Sequence, residues 1–189
     1  MNKTKRKIFE TSMKLFAEKG YDGTSIEEIT SVVGVAKGTL YYHFSSKEEI
    51  FNFLVEEGMN LLKNSIKIKI NKQEKNIDKL RAIILIQIKI IAKYENFMSI
   101  VLSEIWGNST RSKTCQDNLN DYLSIVKDII SKGIQNKEIK NIDVDIAADE
   151  IFGMVCTSLY YKKNNELVIE KLFKEIDNTF IKGLRRVEE

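Results

Sequence analysis

Lys37, Thr39, Tyr41, Tyr42 and His43 fall within seven residues of the stretch VAKGTLYYHFSSKEEI, residues 35–50, and Lys47 follows shortly after. An ammonium, hydroxyls and an imidazole so close together could do acid–base chemistry, which most often uses histidine. His43 is, however, the only histidine in 189 residues, and no HExxH, GxSxG, P-loop or dinucleotide-binding glycine pattern accompanies it. Cys115 and Cys156 have neither CxxC nor metal-ligand spacing and read as buried, reduced thiols, so no metal or cofactor is expected. The abundant carboxylates read as solvated helix faces. What these side chains do share is the ability to hydrogen-bond phosphate oxygens and base edges. Their chemistry is that of recognition, and an enzyme is set aside.

Charge agrees in its distribution more than in its total. The formal net charge is only +3, but the first 47 residues hold eight cations against five carboxylates, so the whole excess sits in the first quarter. Hydrophobic residues make up 43% and charged residues 30%, an ordinary globular composition. Nothing behind the opening MNKTKRK reads as a signal peptide. The apolar run IILIQIKII (83–91) is broken by Gln87 and Lys89, and a membrane span needs about 20 apolar residues. A cytoplasmic protein without a membrane partner is expected.

The elements that must position the recognition residues are helical throughout. The chain has no proline, whose presence would cost a helix interior about 3 kcal/mol. Ile8 and Leu15, and Phe9, Met13 and Phe16, recur at helical spacing before Lys19 and a Gly20 cap, with Tyr21 placed to fold back. Ser25 with Glu28, and Ser46 with Glu49, are two capping boxes, and Gly34 stops the helix that carries Ile26, Ile29 and Val33. Only Val35 and Ala36 separate that stop from KGTLYYHF. Two short helices across a tight turn, buttressed by a third, make a helix-turn-helix whose second helix enters the DNA major groove.

At about 100° per residue, Leu40 and Phe44 face inward while Gly38, Thr39, Tyr42 and His43 face out, flanked by Lys37 and Tyr41. Lys37 can reach a phosphate or a guanine, Gly38 lets the backbone lie close, and Thr39 can meet thymine or a base edge. Tyr41, Tyr42 and His43 can bond phosphates. Lys47, with the free N–H groups that open the next helix, makes a phosphate clamp, and Thr24 and Ser25 offer the same one helix earlier. The KTKRK segment reads as an arm for phosphates or the minor groove.

The stretch GYDGTSIEEITSVVGVAKGTLYYHFSSKEEIF resembles the N-terminal signature of the tetracycline-repressor (TetR) family of bacterial transcription regulators. Gly20-Tyr21, Thr24-Ser25, Ile26, Ile29, Gly34-Val35, Lys37-Gly38, Leu40 through Phe44 and Lys47-Glu48 carry the likeness, over roughly the first quarter of the chain. Thr30 and Val33 depart from it, standing where the family usually has alanine. The resemblance implies an all-α homodimer: a helix-turn-helix DNA-binding domain over residues 1–47 and a helical ligand-binding and dimerisation domain over 48–189. It also implies a repressor that binds a palindromic double-stranded operator and is released by a small-molecule effector.

Beyond residue 47 the pattern predicts helices over roughly 47–71, 76–94, 97–106, 112–136, 143–163 and 166–186, with Asp143 or Asp145 capping the penultimate one and Asn164 ending it. Ile169, Leu172, Phe173, Ile176, Phe180 and Leu184 form one face of the last helix; the helix before it is apolar on more than one side. The family likeness makes these two helices the dimer interface. A pocket among the middle helices would draw on Tyr94, Phe97, Met98, Trp106, Tyr122, Phe152, Cys156 and Tyr160, with Gln87, Glu104 and Asn118 as polar contacts, and would suit an apolar or amphipathic molecule. For each of these residues, plain core packing is the competing assignment. The alternative for the whole chain is a helical interaction module whose helix-turn-helix no longer touches DNA.

Overall fold

The computed structural model describes residues 2–161 and 169–185, with side chains through Thr157 in the first span. Asn164 and the side chain of Tyr160 lie outside the described residues. Within them the chain is helical, and its β-structure is one isolated bridge between Ile139 and Arg185.

Helix α1 (Lys3–Lys19) opens where Asn2 Oδ1 accepts from the Lys5 amide at 2.8 Å. The KTKRK segment is therefore the first turns of this helix and not an extended arm, because an N-cap closes the backbone ahead of it. Tyr21 folds back on Phe16 with ring centroids 5.4 Å apart, as the Gly20 stop predicts. In α2 (Ile26–Val33) the Ser25 hydroxyl accepts from the Glu28 amide at 3.1 Å, one half of the expected capping box. The other half is absent, because the Glu28 carboxylate pairs with Lys19 across the turn. Gly34 ends α2 with φ +76° and ψ 41°, a left-handed conformation that costs glycine nothing sterically. The amides of Gly34 and Val35 both donate to the Thr30 carbonyl, at 2.9 and 3.1 Å.

That tight exit sets the direction of α3 (Lys37–His43), which is anchored by Leu40 and, just past its end, Phe44, both essentially fully buried. Helix α4 (Lys47–Ile70) then begins with the Ser46 hydroxyl accepting from the Glu49 amide at 3.0 Å. Here too the capping glutamate departs from the box. Glu49 accepts from the Ser45 amide and hydroxyl, both at 2.6 Å, which holds its carboxyl below the usual carboxylate range. Thr30, on the buried side of α2, donates its hydroxyl to the carbonyls of Ile26 and Glu27 at 3.0 Å each, so it needs no partner across the core.

The chain forms two compact units, Met1–Met59 with Tyr94–Asn118, and Asn60–Lys93 with Leu119–Glu189. A cut at residue 47/48 falls inside the first of these. In that unit α1 packs against α2, α3 and α6 (Glu95–Glu104). Phe16, Tyr21 and Phe51 form an aromatic cluster, with neighbouring centroids 5.4 to 6.0 Å apart. The α4 segment of this unit approaches α6 closely at Gly58, where an added Cβ would lie 2.3 Å from the Phe97 ring.

In the second unit α5 (Asn76–Lys93) packs on α8 (Val144–Tyr161) and α9 (Ile169–Ile176), with the latter part of α7 (Thr110–Gln135) contributing Tyr122, Val126 and Ile130 to the core. Asp143 is the residue that caps α8, accepting from the Ile146 amide at 3.0 Å. Asp145 instead pairs with Lys127 at 2.6 Å. The expected uninterrupted last helix contains a π segment, Asp177–Ile181, before α10 (Lys182–Leu184). Asp177, which opens that segment, accepts from Arg81 Nε at 2.6 Å, and Arg81 also holds Asp78 at 2.9 Å. Among the described residues no helix is long and apolar enough to cross a membrane.

Gly58→Ala is expected to lower unfolding free energy by about 1–3 kcal/mol, because a rigid ring and not a flexible chain end occupies the space. The urea midpoint of the variant measures this; an unchanged midpoint would mean that Phe97 moves aside at no cost.

Candidate nucleic-acid interface

The face opposite Leu40 and Phe44 is the one that remains. Tyr42 is 83% exposed and Tyr41 45%, high values for side chains this large. His43 is half-buried beside Tyr42, their rings meeting edge to face at 5.0 Å. Gly38 is exposed, and a Cβ built on it would meet no atom within 4 Å. Neither the protein's packing nor a positive φ therefore requires glycine at this position. Thr39 is half-buried on the same helix.

Lys37 opens α3, and its ammonium pairs with Glu27 Oε1 of α2 at 2.5 Å, both side chains remaining largely exposed. Each partner favours the charged form of the other: the hydrogen bond to Glu27 raises the Lys37 pKa, and that to Lys37 lowers the Glu27 pKa. An exposed pair of this kind is weak and screened by salt, so another anion can take the place of the carboxylate.

Two of the residues chosen from sequence have tasks inside the protein. Thr24 is 1% exposed and donates its hydroxyl to the Gly20 carbonyl at 2.9 Å, so its side chain faces the turn and not solvent. Lys47 donates to the carbonyls of Tyr21 and Thr24, at 2.9 and 2.8 Å, and lies 4.2 Å from the Tyr21 ring centroid. An ammonium has three donors, so one N–H of Lys47 is left for an outside acceptor. Ser25 is exposed, its hydroxyl oxygen already capping α2.

The residues suggested for a pocket are divided between the units. In the first, Phe97 and Met98 are core, at 3% and 2% exposure, Tyr94 is half-buried, and Trp106 is 86% exposed. Trp106 sits in the connection after α6, where the polar residues that follow leave its ring uncovered. In the second unit Tyr122, Phe152 and Cys156 converge on Gln87. The Tyr122 hydroxyl donates to Gln87 Oε1 at 2.9 Å, and Gln87 Nε2 donates to the Phe152 carbonyl at 3.2 Å. Burial pushes the Tyr122 hydroxyl well above its ordinary pKa and the Cys156 thiol up to about 12, keeping both neutral. Glu104 and Asn118, the other polar candidates, belong to the first unit; Glu104 faces Arg111 at 3.6 Å, and Asn118 donates to the Thr114 carbonyl at 3.0 Å.

Sequence reasoning missed Arg111. Its guanidinium lies over the Tyr21 ring, with Cζ 3.8 Å from the centroid, 90 positions along the chain from it. It occurs in the polar break GNSTRS, where no periodicity marks it as more than a loop cation.

Residues 8–54 match the family model described as bacterial regulatory proteins, tetR family, and residues 73–184 match the tetracyclin repressor-like C-terminal domain. The chain is 29% identical over 150 residues to the fatty acid metabolism regulator protein of Bacillus subtilis, an alignment spanning 78% of this chain and 77% of that one. The solved structure of a putative fatty acid metabolism regulator of Clostridium perfringens superposes with a TM-score of 0.89 at 31% identity, over 96% of this chain and 100% of that one. FadR of Bacillus subtilis, solved in complex with stearoyl-CoA, superposes with a TM-score of 0.82 at 25% identity, over 95% and 99% of the two chains. With one model spanning the helix-turn-helix and the other more than half of the chain, the protein belongs to the tetR family of bacterial regulatory proteins.

Proposed function

We propose that the protein is a ligand-responsive transcription regulator, a cytoplasmic homodimer that binds a palindromic DNA operator and is released from it by a small amphipathic molecule. The observation that carries this reading is the outer arc of α3, where an 83%-exposed tyrosine stands near a glycine whose added Cβ would meet no atom of the described residues within 4 Å. A duplex lying on that arc explains both, because close backbone approach favours glycine and a phenol tip can reach a phosphate. Lys37 would exchange Glu27 for a phosphate, while Thr39, Tyr41, Tyr42 and His43 complete the contact surface. Ser25 and the last N–H of Lys47 flank it at two helix starts. Residues 1–47 act as the reading head, and the chain from 48 onward carries effector binding and dimerisation.

A palindrome is read by two heads about one DNA turn apart, roughly 34–36 Å. The partner face is expected on α8 and the last helix, where Ile146 is 59% exposed and a Cβ at Gly153 would meet no atom of the described residues within 4 Å. Similarity to regulators of fatty acid metabolism, one of them holding stearoyl-CoA, supports a long-chain acyl-CoA as the effector class. Such a ligand shifts the protein between DNA-competent and incompetent states only if it prefers one of them. The alternative of a helical interaction module that no longer touches DNA is not favoured by the similarity to transcriptional regulators.

Selection of bound duplexes from a random pool by the purified protein is expected to enrich an inverted repeat. On that duplex, Lys37→Ala should flatten the log–log salt dependence of binding by about 0.9, one phosphate contact, while Tyr42→Ala weakens binding about tenfold with helicity and dimerisation unchanged. Wild-type affinity in both variants would remove the assignment of this face. Stearoyl-CoA is expected to weaken operator binding and free CoA is not; equal operator affinity with and without bound stearoyl-CoA would reject the effector class.

A further inference from the structure

Tyr21 meets two cations inside the first compact unit. Lys47 Nζ lies 4.2 Å from the ring centroid and the Arg111 guanidinium carbon 3.8 Å from it. Arg111 is the second residue of α7. It faces Glu104 at 3.6 Å and Asp22 at 4.0 Å, and the adjacent Thr110 hydroxyl donates to the Glu48 carboxylate. The Arg111 side chain is only 18% exposed, and among the described residues its Nε has no acceptor within hydrogen-bond distance. An arginine serving only as a solvated surface charge would not be buried this far. Nor does the Tyr21 ring depend on Arg111 for apolar cover, since Phe16 and Phe51 already pack against it at 5.4 and 5.5 Å. What Arg111 adds is a directional hold on the plane of the ring, stronger for being partly shielded from water.

The hold has a path to the DNA-facing groups. Tyr21 and Thr24 supply the two carbonyls that receive the Lys47 ammonium, and Lys47 is the first residue of α4. Thr24 also precedes the Ser25 cap of α2. Orienting Tyr21 therefore orients the turn before α2 and ties it to the start of α4, the two helix starts that flank α3. We propose that Arg111 is a positioning residue for DNA binding, supplied by the part of the chain that the C-terminal family model covers and acting on the reading head through Tyr21. The inference rests on the DNA-binding reading above. Without Arg111 the unit keeps its apolar core and both Lys47 bonds, but the Tyr21 ring loses one of its two cationic holds, and binding must restore the lost orientation of the turn before α2.

The test uses the full-length protein and the duplex that the wild type enriches. Arg111→Met keeps the apolar stem without the charge, Tyr21→Leu keeps bulk without a ring, and Tyr21→Phe keeps the ring. Arg111→Met and Tyr21→Leu are each expected to weaken operator binding about tenfold, Tyr21→Phe by no more than about threefold, and the double variant Tyr21→Leu/Arg111→Met no more than the worse single one. Amide hydrogen exchange over residues 21–25 should quicken in Arg111→Met and not in Tyr21→Phe, a readout that needs no DNA. If Arg111→Met fails to fold, Arg111→Gln, which keeps a polar side chain without the charge, carries the same question: a loss near tenfold supports the inference and wild-type affinity overturns it. Wild-type affinity and exchange in Arg111→Met, equal losses in both Tyr21 variants, or additive losses in the double variant would each overturn the inference while leaving DNA binding in place. A wild-type protein that enriches no duplex would overturn the DNA-binding reading and this inference with it.

Discussion

A helix of seven residues does not hold itself together. Isolated helices shorter than about 12–15 residues are marginal in water, because the costly first turn is repaid by too few hydrogen bonds. Helix α3 has seven residues and an Ala36 N-cap with no side-chain bond. It persists because Leu40 and Phe44 are buried in the unit that α1, α2 and the first part of α4 build. Everything about the exposed face of α3 follows from that anchorage. Two apolar side chains take one side of the helix, so the opposite arc is committed outward, and Tyr41, Tyr42 and Gly38 are displayed together on it.

The same unit shows how electrostatics finishes what apolar packing begins. Phe16, Tyr21 and Phe51 bring α1, the following turn and α4 together, but apolar contact has little directionality and leaves rotation of the turn weakly determined. Lys47 supplies direction through two carbonyl acceptors, and Arg111 supplies it from α7 through the face of the ring. Glu27 and Glu28, both in the first turn of α2, have lysine partners on α3 and α1. Around α3, the Lys37 and Lys47 ammoniums are each held by an oxygen acceptor, the Glu27 carboxylate for the first and two carbonyls for the second, that a phosphate oxygen can imitate.

The second unit follows a different rule. Gln87 is completely buried beside Tyr122, Phe152 and Cys156, a placement that would cost several kcal/mol without partners. Tyr122 and the Phe152 carbonyl accept that role from α7 and α8, so one buried amide ties three helices into register. Such a satisfied polar cluster gives orientation to a core that branched aliphatic side chains would otherwise fill in several ways.

Helical spacing, two serine caps, the glycine stops and the inward pair Leu40 and Phe44 were all legible along the chain, because each depends on residues within one or two turns of one another. So was the resemblance that leads to the tetR family, since its ordered motif is local to the first quarter. The inward turn of the Thr24 hydroxyl, the diversion of Glu28 to Lys19, the exposure of Trp106, the π segment at Asp177 and the stacking of Arg111 on Tyr21 were not legible. In each case the outcome depends on which distant or competing partner lies within a few ångströms, and spacing along a helix carries no information about that. Sequence by itself therefore determined the helices, their inward faces and the residue types displayed on the outer arc of α3, because local backbone energetics and hydrophobic periodicity act over short range. Tertiary structure alone decided which of those polar groups remain free and which are spent inside, because hydrogen bonds and ion pairs form wherever the packed fold brings complementary charge together.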